Sequence, residues 1–121
     1  MGYRSQVKYV IRFKDSIQID NFKELVKHRA DDAMTQALEE LNVLHNKLYA
    51  EFDDVKWYDS YEDVQAHHKL MEFAREAFAD DAAWRFVRIG EEYNDIEILD
   101  DDPMGDLYDV IYPVRSIELN F

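Results

Sequence analysis

The sequence predicts an α+β fold: a two-layer sandwich of two main helices packed on a mostly antiparallel sheet, with a ferredoxin-like βαββαβ core followed by extra C-terminal strands. Three observations carry that expectation. Residues 6–14 alternate apolar and polar side chains at the period of a strand, whereas residues 60–79 repeat apolar side chains at the period of a helix. The order of such segments is strand, helix, two short strands, helix, then two or three further strands.

In the first segment Val7, Tyr9, Ile11 and Phe13 share one face and Lys8, Arg12 and Lys14 the other, with Val10 as the interruption. From Asp20 the period lengthens. Phe22, Leu25, Val26, Ala30, Ala33, Ala37, Leu38 and Leu41 recur at helical spacing, as one long helix or as two abutting ones with Asp31 capping the second. Leu48, Ala50 and Phe52 then alternate with Tyr49 and Glu51, and Asp53-Asp54 separates them from Val55-Lys56-Trp57-Tyr58, which reads as a hairpin turning at the two aspartates.

Ser60 and Asp63 have the spacing of a capping box, and Val64, His67, His68, Leu70, Met71, Phe73, Ala74, Ala77 and Phe78 form a broad apolar stripe behind it. Asp80-Asp81 ends that helix. Trp84 to Ile89 reads as a strand, Gly90 as punctuation, and Ile96 to Leu99 as another strand. Leu107 to Leu119 alternates but contains Pro113, which lacks a backbone N–H, so a bend or a sheet edge is expected there.

With 121 residues and 47% apolar composition, the chain is expected to form a single acidic α+β domain, residues 1–121. Met1-Gly2-Tyr3-Arg4-Ser5 lacks the apolar core of a secretory signal and no long uncharged apolar window follows, so a cytoplasmic location without membrane contact is expected. The absence of cysteine excludes thiolate nucleophiles, disulfides and Cys-based metal sites.

The formal net charge is −13. Residues 1–30 hold seven Lys/Arg against three acids, a balance of +4, and the remaining 91 residues hold seven against twenty-four, a balance of −17. Such an excess repels phosphate backbones, so direct, non-specific nucleic-acid binding is not expected, and the charge fits a basic protein partner or simple colloidal solubility.

Between Glu91 and Asp109 lie nine carboxylates and no Lys or Arg. The segment Asp100-Asp101-Asp102-Pro103-Met104-Gly105-Asp106 invites comparison with a calcium loop, but the fifth position is Met104 and the twelfth is Ile111, neither of which offers a carboxylate. A solvated acidic turn is the expectation, with no metal and no cofactor. Adjacent His67 and His68 point about 100° apart on a helix and do not chelate as an i, i+4 pair would. No G-x-S-x-G, H-E-x-x-H or Gly-rich phosphate loop occurs, and no catalytic residue is nominated. The candidate partner-binding residues are Glu91, Glu92, Asp95, Glu97, Asp100, Asp101, Asp102, Asp106 and Asp109, with Tyr58 and Tyr61 as aromatic contacts beside an acidic rim.

Met1-Gly2-Tyr3-Arg4-Ser5-x-Val7, Val55-Lys56-Trp57-Tyr58-x-x-Tyr61-x-Asp63-Val64-Gln65 and Phe86-Val87-Arg88-Ile89-Gly90-Glu91 together resemble a group of small uncharacterised acidic proteins of tailed bacteriophages. The resemblance implies a viral origin and action in the infected bacterial cytoplasm, and brings no catalytic residue. The expected function is a non-enzymatic phage accessory protein that binds a host or phage protein, such as a basic nucleic-acid-binding host factor, through an acidic surface in the manner of a DNA-mimic inhibitor. The alternatives are a homo-oligomeric scaffold domain, in which the basic N-terminal strand of one copy meets the acidic segment of another, and a carboxylate-metal enzyme resting on acid density alone.

Overall fold

The computed structural model describes residues 2–113 and 117–121. It is α+β, with three helices and a five-stranded antiparallel sheet in the order β2-β3-β1-β4-β5. The strands are β1 (Ser5–Arg12), β2 (Asn42–Leu44), β3 (Lys47–Val55), β4 (Ala83–Gly90) and β5 (Ile96–Asp101). The helices are α1 (Ser16–His28), α2 (Asp32–Glu39) and α3 (Glu62–Phe78). A separate two-stranded ribbon pairs β6 (Ile111–Pro113) with β7 (Ile117–Leu119).

The first helical stretch divides in two. Asp15 caps α1 by accepting the Gln18 N–H, a turn earlier than the Asp20 start that the apolar spacing gave. Asp31 caps α2 by accepting the Met34 N–H, so of the two readings left open the abutting pair is the one adopted. Between them Ala30 takes φ 54, the left-handed conformation that lets a helix end and the chain turn.

The hairpin lies elsewhere than expected. Its turn is His45-Asn46, between Leu44 and Lys47, with His45 at φ 56. Asp53-Asp54 belongs to β3 itself: Val7 faces Phe52 and Ser5 faces Val55, so two aspartates stand opposite the single Gln6. This is a β-bulge, with Asp54 at φ 55 and Asp53 Oδ1 accepting from the Gln6 side-chain amide at 2.8 Å.

The expected capping box at Ser60 also fails. The N-cap of α3 is Tyr61, which supplies no side-chain hydrogen bond, while Glu62 and Asp63 place negative charge in the first turn where the helix dipole favours it.

Alternation along β1 builds two cores. Val7, Tyr9 and Ile11 face the helices and bury Phe22 and Val26 of α1, Met34 and Ala37 of α2, and Leu70, Met71 and Ala74 of α3, together with Phe86 of β4. The opposite face carries Val10, Ala83 and Val87, which pack against Leu107, Ile111 and Ile117. Pro113 closes β6 at the end of the ribbon; the part of the expected C-terminal alternation at 114–116 lies outside the described residues. Among the described residues no helix is long and apolar enough to cross a membrane.

Candidate functional site

The nine carboxylates between Glu91 and Asp109 occupy the β4–β5 turn, β5 and the loop beyond it. They do not form one face. In β5, Glu97 and Asp101 stand opposite Arg88 and Trp84 and so project to the helix side, whereas Asp100 stands opposite Arg85 and projects to the other.

Five of the nine are matched by arginines. Arg88 donates to both oxygens of Asp95, at 2.9 and 3.1 Å, and to Glu97 at 3.3 Å. Arg85 reaches Asp100 at 2.7 Å, donates through Nε to the Ile111 carbonyl and stacks over the Tyr108 ring, joining β4, β5 and β6. Arg75 lies 3.1 Å from Asp101, and Arg12 lies 3.6 Å from Asp106.

Asp102 turns its carboxylate inward instead, accepting the N–H groups of Asp106 and Leu107. Its oxygens close the loop rather than facing a cation. Among the described residues no cluster of three or more His, Asp or Glu is arranged to hold a metal ion. Glu91 accepts the Arg4 N–H, and Glu92 and Asp109 are exposed and make no ion pair among the described residues.

What remains open at this end of the molecule is apolar. β5 is the last strand of the sheet, so its outer backbone edge has no partner strand among the described residues. Ile96 and Ile98 project together on the face away from the helices, opposite Ile89 and Val87, and remain 44% and 42% exposed. A shallow cavity of about 650 Å³ lies over Ile89 and Ile96, bordered by Glu91, Glu92 and the fully exposed Tyr93.

The two tyrosines singled out by sequence lie on the helix side. Tyr58 accepts the Tyr3 N–H on its hydroxyl at 2.7 Å and packs edge-on against Tyr61, which is itself exposed. Trp57 rests inward against Phe52, His67, His68 and Phe86.

Tyr3, missed by the sequence reading, donates its hydroxyl proton to Asp95 at 2.6 Å and accepts the Glu92 N–H. The hydrogen bonds from Arg88 and then Tyr3 hold the Asp95 carboxyl below its ordinary range, and the bond to Asp95 raises the Tyr3 phenol. Arg88, hydrogen-bonded to the same carboxylate, is held still more firmly in its charged form.

A second polar group is sealed inside. The Tyr9 hydroxyl lies 2.6 Å from Nδ1 of His67, whose Nε2 lies 3.4 Å from Glu40. The nearby Glu40 carboxylate favours the neutral tautomer with the proton on Nε2, in which Nδ1 accepts from the Tyr9 hydroxyl. Burial drives His67 down to about 4 and the Tyr9 phenol well up. The trio resembles a proton relay, but Tyr9 is wholly buried, so no substrate reaches it. The apolar stripe of α3 includes His67, and the structure places it inside the core, 2% exposed, against Tyr9, Phe52 and Trp57.

No family model, curated protein or solved structure matches the chain.

Proposed function

We propose that this chain is a non-enzymatic phage accessory protein that captures a basic, extended segment of a protein partner along the outer edge of β5. The observation that carries the reading is that edge itself: backbone groups with no partner strand among the described residues, an exposed Ile96-Ile98 row, and Glu91 and Glu92 beside it. Strand addition uses the free N–H and C=O groups for affinity and alternate side chains for selection. The acidic rim selects for lysine and arginine in the incoming segment. The resemblance to tailed-phage proteins supports a partner in the infected bacterial cytoplasm.

Strand order adds support. We read β1, α1–α2, β2, β3, α3 and β4 as the split βαβ plan of ferredoxin-like folds, with helices as one layer and sheet as the other, and β5 as a strand added at its margin. The proposed site is then the addition to a common plan.

A continuous DNA-like charge surface has less support, because five of the nine carboxylates are engaged by arginines. Scaffold assembly through the basic N-terminal strand is also less favoured. β1 is bonded on both sides, and its Lys8 and Arg12 meet Glu51 and Asp106 of the same chain. An antiparallel pair of β5 strands centred on Leu99 would set Glu97 of each copy opposite Asp101 of the other, two acids on one face and a repulsive pairing.

The test uses a fluorescent peptide of alternating valine and lysine against one of alternating valine and glutamate. Anisotropy should rise with the lysine peptide only, and the double substitution Ile96→Lys and Ile98→Lys should remove the rise. Equal binding of both peptides, or full binding to the double variant, overturns the proposal.

A further inference from the structure

A second cavity, of about 300 Å³, lies on the helix side of the same sheet margin. Tyr3, Trp57 and Tyr58 supply aromatic walls, and Asp59, Asp95 and Glu97 supply carboxylates around the Arg88 guanidinium. The charged lining sums to −2.

The arginine does not make this a site for anions. Its nitrogens are already given to Asp95, Glu97 and the Ser5 hydroxyl, so it has little left to offer an incoming acid. Asp59 is exposed and makes no ion pair among the described residues.

The aromatic walls are fixed before any ligand arrives. Trp57 is set against Phe52, His67 and Phe86, and Tyr58 is held by the Tyr3 N–H on one side and by Tyr61 on the other. Preset aromatic faces with surplus carboxylate recognise organic cations, because ring quadrupole and charge act together and neither must reorganise.

We propose that this cavity receives an alkylammonium or guanidinium group, the side chain of one lysine or arginine in the segment bound along β5. The inference rests on the strand-addition reading for its source of cation. In an added strand, the residue opposite Glu97 points to the same face as Glu97, and a long basic side chain there extends over Glu97 toward Tyr58 and Asp59.

The test uses small probes in place of the segment. N-acetyl-lysine methylamide, N-acetyl-arginine methylamide and the neutral N-acetyl-norleucine methylamide are each titrated into the ¹⁵N-labelled Trp84→Phe variant, leaving Trp57 as the sole indole signal. Saturable shifts of the Trp57 indole N–H and the Tyr58 and Asp59 amides with either cationic probe, and not with norleucine, are expected.

Asp59→Asn should weaken that binding on the order of twofold to fivefold without changing the fold, as expected for one partly solvated charge contact. Equal response to all three probes, or no saturable shift with the cations, overturns the proposal. The Ile96→Lys, Ile98→Lys double variant separates the two readings. It should lose the lysine peptide while keeping the probe response; if the probes fail and the peptide still binds the unsubstituted edge, the cavity assignment falls alone.

Discussion

His67 is the residue whose chemistry makes the clearest demand on the fold. It stands 2% exposed between Tyr9 and Glu40, with Asp63 and His68 as the other titrating neighbours, and burial lowers its pKa from the ordinary 6.5 to about 4. Above 6.5 the ring is neutral folded or unfolded. As pH falls, the unfolded chain takes up a proton that the folded chain refuses until about 4. Stability is therefore lost through that window, by roughly 3 kcal/mol at its foot. Urea unfolding of the native chain and of His67→Gln between neutral pH and about pH 4 should show the native chain losing that much more than the variant; parallel pH profiles would refute it. Gly90 makes a steric demand at the opposite end of the sheet. A Cβ there would run into the Asp95 carboxylate and the Tyr3 hydroxyl, so Gly90→Ala should break the Tyr3–Asp95–Arg88 contacts. A loss of about 1–3 kcal/mol is expected by thermal unfolding, with the Tyr3 and Glu92 amide signals displaced. Neither demand was legible beforehand. The hydrogen bond from Tyr3 to Asp95 spans 92 positions and that between Tyr9 and His67 spans 58, and no local pattern encodes such pairs. The nine acids could be counted in the sequence, whereas the arginines that engage five of them could not be assigned.

At the level of elements, period was a good guide and turns were a poor one. β1, β4 and α3 were legible because they bury side chains against a core, which imposes a repeat of two or 3.6, whereas β5 buries no residue and was legible only from its run of Ile96, Ile98 and Leu99 after Gly90. Asp53-Asp54 was misread because paired aspartates favour any local break in extended pairing, and only alignment with Gln6 on a distant strand makes this one a bulge. The Ser60 box failed for a similar reason: the spacing was present, but the chain enters α3 one residue later, at Tyr61. The helix ends carry a prediction of their own. Ala30 and Ala79 close α1 and α3 at φ 54 and φ 49, backbone values that cost an L side chain and cost glycine little. Ala30→Gly and Ala79→Gly should each raise stability by about 0.5–1 kcal/mol, measured as a higher urea midpoint at unchanged slope. A lower midpoint in both would show that the bends are not strained.

For the whole molecule the charge balance decides the response to salt. At −13 the folded chain repels itself, while the Arg85 and Arg88 pairs are partly buried and so are screened less than the free surface acids. Raising salt from about 0.02 M to about 0.3 M should therefore raise the melting temperature by a few degrees. The same change should weaken the lysine peptide, because that attraction acts between exposed charges. Salt moving both quantities in the same direction would count against the charge account of binding.

The middle position of β1 bears on how the protein is made. β1 is synthesised before both of the strands that it is bonded to, β3 and β4, with Tyr9 facing Phe86 across the second join. A nascent chain that has reached Asp81 can pair β1 with β3, but its other long edge stays bare and the Phe86 side of the core stays empty. Closure waits for Ala83–Gly90 to leave the ribosome, a long-range pairing of the slow kind. Until then the edge beside Val7, Tyr9 and Ile11 stays open, and after β4 has paired, Val10 and Val87 still wait for Leu107, Ile111 and Ile117 to cover them, so exposure of apolar surface ends in two steps, one for each face of the sheet.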